Sequence, residues 1–210
     1  IDKKKIVVVY LGIEEKFKKN EIKLFSDQLL EKYKIKLPFI FYCGSLSPRK
    51  NILRVLKAFG KIKNKIPHNF YIASGKSWGP GIVVRYAQKN LNKRVKILPF
   101  LSDKELIDMY SLADLYVYPS LYEGFGLPIL EAQTCGCPVL TSNVTSCPEI
   151  AGNSAHLVNP YSIDEIQEGI LKILKNKRYK EGLIGKGYKN VKKYNWKKTA
   201  DGLLDVCWIK

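Results

Sequence analysis

Residues 115–141 read LYVYPSLYEGFGLPILEAQTCGCPVLT, and the character of the chain changes three times along them. Leu115–Tyr118 is a short apolar and aromatic run, the composition of a buried strand. Pro119 to Gly126 is broken up by proline and glycine, the marks of a loop. Leu127–Thr134 reads as a helix, and Pro128 suits its first turn, where a missing N–H costs nothing. Pro138–Thr141 returns to strand composition. Strand, loop, helix and strand in this order make a βαβ unit, whose two strands must run parallel.

The same alternation extends outward on both sides. Strands are expected at Phe39–Cys43, Phe70–Ala73, Val95–Phe100 and Ala155–Val158, and helices at Asn51–Ile66 and Val83–Leu91. Ser102 and Glu105 form a capping box that opens a helix through Leu112. Ser162 and Glu165 repeat the device before a helix to Lys175, and helical segments follow near Lys180–Tyr194 and Trp196–Trp208. The rhythm predicts an α/β, Rossmann-like, doubly wound parallel sheet with carboxyl-terminal helices. Such sheets bind ligands beyond the carboxyl ends of their strands. The loops after Cys43, Ala73, Phe100, Tyr118 and Thr141 are therefore the places for chemistry. Residues 1–36 read as a junction, with a short strand at Lys5–Tyr10, and residues 37–210 as the domain proper. A chain that opens on Ile1 is expected to be part of a longer protein.

Composition narrows the class. A 46% hydrophobic content supports an ordinary core. The five cysteines are odd in number and irregular in spacing, which fits reduced core residues of a cytoplasmic protein better than a disulfide or zinc framework. The longest early apolar run, Ile6–Gly12, is too short to span a bilayer. The net charge of +17 raises nucleic acid as a partner, but only five of the 36 basic residues are arginine. Readers of nucleic acid lean on the planar guanidinium fork. The expectation is no nucleic-acid partner, with peripheral contact to an anionic membrane surface left open.

Three loops carry candidate chemistry. Gly44-Ser45-Leu46-Ser47-Pro48-Arg49-Lys50-Asn51 follows the first core strand. Gly44 allows a tight turn, Asn51 suits an N-cap, and Lys50 beside free helix-start amides suits a diphosphate. Gly75-Lys76-Ser77 imitates the end of a P-loop, yet Phe70 stands where the motif needs its first glycine, so the match fails. The third loop holds Glu123, with Glu131 eight residues on in the helix. A carboxylate accepts two hydroxyl hydrogen bonds well, so such a pair suits the vicinal diols of a ribose and a sugar.

The stretches GSLSPRKN, SLYEGFGLPILEAQTCGCPVLTSN and CPEIAG, in this order and spacing, resemble the carboxyl-terminal domain of retaining GT-B glycosyltransferases of the group 1, GT4-like family. Glu123 and Glu131 match that family's E-x7-E motif. The resemblance implies a nucleotide-sugar-binding domain, paired in the whole protein with an acceptor-binding domain ahead of residue 1. It implies that Glu131 binds the donor ribose and that Glu123 touches the transferred sugar. Amides of Phe125, Gly126 and Leu127 would hold sugar or phosphate oxygens. Lys50, backed by Gly44, would neutralise the diphosphate, and Phe100–Leu101 would lie against the base. Ser45 stands where many members carry an arginine, and Arg49 is the residue that could compensate.

The implied reaction moves a hexose from a UDP- or GDP-sugar to an acceptor hydroxyl with retention, at the cytoplasmic face of a membrane or in the cytoplasm. The acceptor would be a glycan or a lipid-linked sugar. No metal or other cofactor is expected. The loops also fit a non-catalytic nucleotide-sugar-binding subunit and an epimerase of the same fold, while a basic nucleic-acid-binding domain rests on charge alone.

Overall fold

The computed structural model describes residue 2 and residues 5–18, 23–75 and 81–207. The readings made for Lys76, Ser77, Gly79 and Trp208 lie outside the described residues. Six parallel strands form one sheet: β1 (Phe39–Cys43), β2 (Asn69–Ala73), β3 (Val95–Leu98), β4 (Leu115–Tyr118), β5 (Val139–Ser142) and β6 (His156–Val158). Their order across the sheet is β3-β2-β1-β4-β5-β6, with Ile40 opposite Leu115 and Phe41 opposite both Tyr71 and Tyr116. The order reverses between β1 and β4, which makes that gap the topological switch point where an open α/β sheet binds ligands.

Helices cover both faces, so the central strands are apolar on both sides. Phe39–Tyr42 and Leu115–Tyr118 are buried along their whole length, as expected of a sheet enclosed by crossover helices. The helices are α1 (Lys23–Lys32), α2 (Ile52–Ile62), α3 (Gly81–Tyr86), α4 (Asp103–Leu112), α5 (Leu127–Thr134), α6 (Cys147–Ala151), α7 (Ile163–Lys175), α8 (Lys177–Val191) and α9 (Trp196–Cys207). In α2 the residues Ile52, Val55, Leu56, Phe59 and Ile62 recur at helical spacing and are all buried. The capping box on α4 forms in both directions, Ser102 to the Glu105 amide and Glu105 to the Ser102 amide.

Several expectations change. Lys5–Tyr10 is not a strand, and its Ile6, Val7 and Val8 are exposed. β-Branched residues make a strand only where a neighbour supplies a ladder, and here the segment runs along α9, with Thr199 donating to the Tyr10 carbonyl at 2.7 Å. α2 stops at Ile62, short of Ile66, whose backbone Pro67 biases away from helix. α3 gives way to a π turn at Ala87–Leu91 and a 3-10 turn at Asn92–Arg94. β3 ends at Leu98, before Pro99. α8 starts at Lys177 because Asn176 caps it, accepting from the Tyr179 amide at 2.9 Å.

Candidate active site

The loop leaving β1 is held by backbone and by one tyrosine. Gly44 has φ of 146°, and a Cβ placed there would stand 2.9 Å from the Tyr42 hydroxyl, so glycine is required twice over. That hydroxyl donates to the Ser45 carbonyl at 2.7 Å, and Ser45 and Ser47 hydroxyls lie 3.0 Å apart. Pro48–Lys50 is one 3-10 turn, and Asn51 follows at φ 61°. The expected N-cap does not form. With Asn51 in the left-handed region its side chain makes no bond to the α2 amides; its oxygen accepts from the Arg54 guanidinium at 3.0 Å, and its amide donates to the carbonyls of Pro119 and Pro160, at 3.0 and 2.7 Å. Asn51 therefore fastens the β1 loop to the β4 loop across the switch point.

Those two loops bring Lys50, Arg49 and Glu123 together. The Lys50 ammonium is buried, 2.7 Å from Glu123 Oε1, hydrogen-bonded to the Tyr118 hydroxyl and 4.7 Å above the Tyr118 ring. Arg49 reaches the other Glu123 oxygen at 3.2 Å and the Tyr122 carbonyl at 3.1 Å. Thr145 accepts from the Glu123 amide, and Ser146 donates to its carbonyl. Burial pushes the Glu123 carboxyl up, but the hydrogen bonds from Lys50 and Tyr118 outweigh it, and the group is held below the usual carboxylate range. Two cations against one carboxylate leave a local excess of one positive charge. Lys50 also keeps a third N–H for a ligand.

Glu131 has a different environment. It projects from α5 and is half-buried; burial raises its pKa to about 7, opposed by a hydrogen bond from the Tyr110 hydroxyl at 3.1 Å. Gly126, at φ 113°, makes the sharp entry into α5, and the Phe125 ring packs on Tyr10 and Tyr194, with centroids 6.3 and 6.0 Å away. That ring anchors the loop from behind, so the loop's contribution to a ligand is its backbone through Gly126 and Leu127. Gly44, Ser45, Phe100 and Leu101 line a separate cleft of about 360 Å³ with Ser74 and Leu106. Phe100 is 79% exposed at its rim and Leu101 is buried in its floor.

Four tyrosines that the motifs do not include lie beneath these groups. Tyr42, Tyr110, Tyr116 and Tyr118 are among the largest fully buried side chains. Their hydroxyls meet Ser45, Glu131, the Cys43 carbonyl and Lys50 respectively. The period-two repeat Tyr116-x-Tyr118 was the available signal, since it puts both rings on one face of β4, where they stack at 5.7 Å. The two histidines stand apart: His68 faces Asp114 at 3.7 Å and His156 bonds Tyr179. Among the described residues no group of three or more His, Cys, Asp or Glu could hold a metal ion. The five cysteines are free thiols, and no helix of the described residues is long and apolar enough to cross a membrane.

The chain is 32% identical over 182 residues to O-antigen chain mannosyltransferase B of Escherichia coli, covering 85% of this chain and 48% of that protein. It thus spans about half the length of that relative. Among solved structures, a glycosyltransferase from Rickettsia africae ESF-5 superposes with a TM-score of 0.88 at 20% identity, over 100% of this chain and 59% of that one. The C-terminal domain of a glycosyl transferase group 1 family protein, LpcC, from Francisella tularensis superposes with a TM-score of 0.71 at 22% identity, over 84% of this chain and 94% of that domain. These two establish the fold, one Rossmann-like half of the GT-B architecture. The family model described as glycosyl transferases group 1 matches residues 25–190, which takes in all three loops, and the chain belongs to that family.

Proposed function

We propose that this chain is the donor-binding domain of a retaining glycosyltransferase, which moves a hexose from a nucleoside-diphosphate sugar to an acceptor hydroxyl. The observation that carries the reading is the convergence of Lys50, Arg49 and Glu123 at the switch point of the sheet, with a net positive charge. Breaking the bond from the anomeric carbon to the phosphate oxygen builds negative charge on the leaving diphosphate. Fixed cations at that spot stabilise it without reorganising. Lys50 and Arg49 would take the part that a divalent metal plays elsewhere, so the transfer needs no cofactor. Glu123, held ionised, would accept hydroxyls of the transferred sugar.

Glu131, steadied by Tyr110, would accept the ribose diol, and the cleft at Phe100–Leu101 would take the base. The donor would be a UDP- or GDP-sugar. The mannosyltransferase relative favours mannose, and with it GDP. Its O-antigen role favours a glycan or lipid-linked acceptor at the cytoplasmic face of a membrane, bound by a further domain. Retention follows the family resemblance. The chain by itself would bind donor weakly and transfer little.

The test is calorimetric titration with UDP, GDP, ADP and their sugar conjugates in metal-free buffer, beside Glu131→Ala. Binding of one nucleotide, weakened at least tenfold by the substitution, is expected. Binding that Glu131→Ala leaves unchanged would remove the ribose role and the reading built on it.

A further inference from the structure

The charge of this chain is not spread evenly. Residues 172–198 hold eleven basic residues against one acid, Glu181, a net of +10 out of the chain's +17. Much of it stands on α8. The inward side of that helix is set by Leu183, Gly187 and Asn190, which are buried. Asn190 is bonded there to Gln133 and to the Ile150 carbonyl. The outward stripe runs Arg178, Gly182, Gly185, Lys189 and Lys192, at spacings of three and four, and all five are exposed. Lys186 and Lys193 flank it on one side. Tyr188, 37% exposed, flanks it on the other, with Glu181, which is engaged by Lys177 at 3.9 Å.

The two glycines are the informative part. A glycine inside a helix costs about 1 kcal/mol relative to alanine. Gly187 has a packing reason, because a Cβ there would stand 3.2 Å from the Gln133 side chain. Gly182 and Gly185 have none, since a Cβ at either would meet nothing within 4 Å. They leave bare, exposed backbone between cationic side chains. An exposed basic face with low backbone between its cations and a tyrosine at its margin suits headgroups, with the cations on anionic lipid and the ring at the interface. A shallow cleft of about 320 Å³ opens at its amino-terminal end between Arg178, Tyr179, Gly182 and Lys186, and with one arginine on the stripe the face lacks the guanidinium array that nucleic acid favours.

We propose that the outward face of α8 is a docking surface for an anionic lipid bilayer. The carboxyl end of this helix leads to Tyr194, whose ring meets Phe125 of the candidate site at 6.0 Å. The inference stands on the charge and shape of α8 and is independent of nucleotide binding.

The experiment is sedimentation of the chain with phosphatidylcholine vesicles, with and without 30 mole per cent phosphatidylglycerol, across a salt series. The expected result is binding only to the anionic vesicles, released by salt. Each basic residue near an anionic surface contributes about 1 kcal/mol, so R178Q/K189Q/K192Q is expected to weaken binding about 100-fold. A control with the same change of charge on the far edge of the sheet, K65Q/K89Q/K93Q, is expected to bind like the wild type. Gly185→Glu, whose Cβ would meet nothing within 4 Å, should weaken binding while leaving the thermal midpoint of the chain within a few degrees. Equal losses in the face variant and the control would mean that net charge alone acts, and would overturn the proposal. So would no binding to anionic vesicles, or salt-sensitive RNA binding through the same residues without vesicle binding.

Discussion

Removing either partner of the Lys50–Glu123 pair should destabilise the chain, but by unequal amounts. Both side chains are nearly withdrawn from water, at 11% and 8% exposure, with 2.7 Å between the charged atoms. At an effective dielectric of about 20 their attraction is about 6 kcal/mol. That is of the same order as the several kcal/mol that each ion loses in hydration. The intact pair is thus close to neutral for stability, while breaking it is costly. Glu123→Gln leaves Lys50 buried with the Tyr118 hydroxyl and an amide, and should cost about 3–5 kcal/mol. Lys50→Met leaves Glu123 with Arg49, a partner at 3.2 Å that is 52% exposed, and should cost less, about 2 kcal/mol. The double variant should be more stable than the sum of the two losses predicts, by about 1–3 kcal/mol.

Urea unfolding of the four chains at pH 7 measures this cycle directly. Its pH dependence has a fixed sign. The Glu123 carboxyl is held below its unfolded value, so the stabilisation of its charged form is complete above the unfolded pKa, near 4.3, and fades as pH falls through the folded one. The gap between wild type and Glu123→Gln should therefore close in acid. Equal costs for the two single changes, or strict additivity in the double, would refute the argument that one buried, coupled pair holds the two loops together.

Glu131 should behave in the opposite way. With a folded pKa of about 7, its neutral form is favoured below its unfolded pKa, and that advantage is lost as pH rises through about 7. Glu131→Gln should match wild type in urea melts at pH 4 and exceed it at pH 8, by up to about 3 kcal/mol. Nucleotide affinity, measured by calorimetry, should rise across the same interval in the wild type and stay flat in the variant, since the diol needs the carboxylate. Gly169→Ala should lower the thermal midpoint, because the new methyl would stand 2.7 Å from both Leu140 and His156, a cost of about 1–3 kcal/mol. Circular dichroism melting that shows no loss would mean that α7 and β6 have room to spare.

Much of this molecule is legible along the chain because its signals are local. A strand buried on both faces is uniformly apolar, an amphipathic helix repeats at 3.6 residues, and a capping box spans four positions. Phe39–Cys43, Leu115–Tyr118, the face of α2 and the box at Ser102 and Glu105 all follow from such rules. So does the site's address, since the loops after β1 and β4 follow from parallel topology and the Gly-x-Gly-x-Pro turn marks one of them. The strand expected at Lys5–Tyr10 failed for a reason of the same kind. Its residues favour a ladder, but a ladder needs a partner edge that no property of the segment itself supplies.

The partners within the site were decided only by the tertiary structure. Spacing put Glu123 eight residues before Glu131 and made them look alike. Folding placed one against two cations and the other where loss of water outweighs its hydrogen bond from Tyr110, and drove their pKa values in opposite directions. Asn51 reads as a helix cap, yet its side chain amide bonds across to Pro119 and Pro160, more than sixty residues away. The hydroxyls of Tyr42, Tyr110, Tyr116 and Tyr118 look like core residues with incidental polarity until the sheet aligns them under the loops. The amino-acid sequence determined which segments are strands and helices and which loops share the carboxyl edge, because those depend on periodicity over a few residues. Which charge meets which, and how dry each becomes, depends on atoms brought together from distant parts of the chain, and only the folded sheet fixes that.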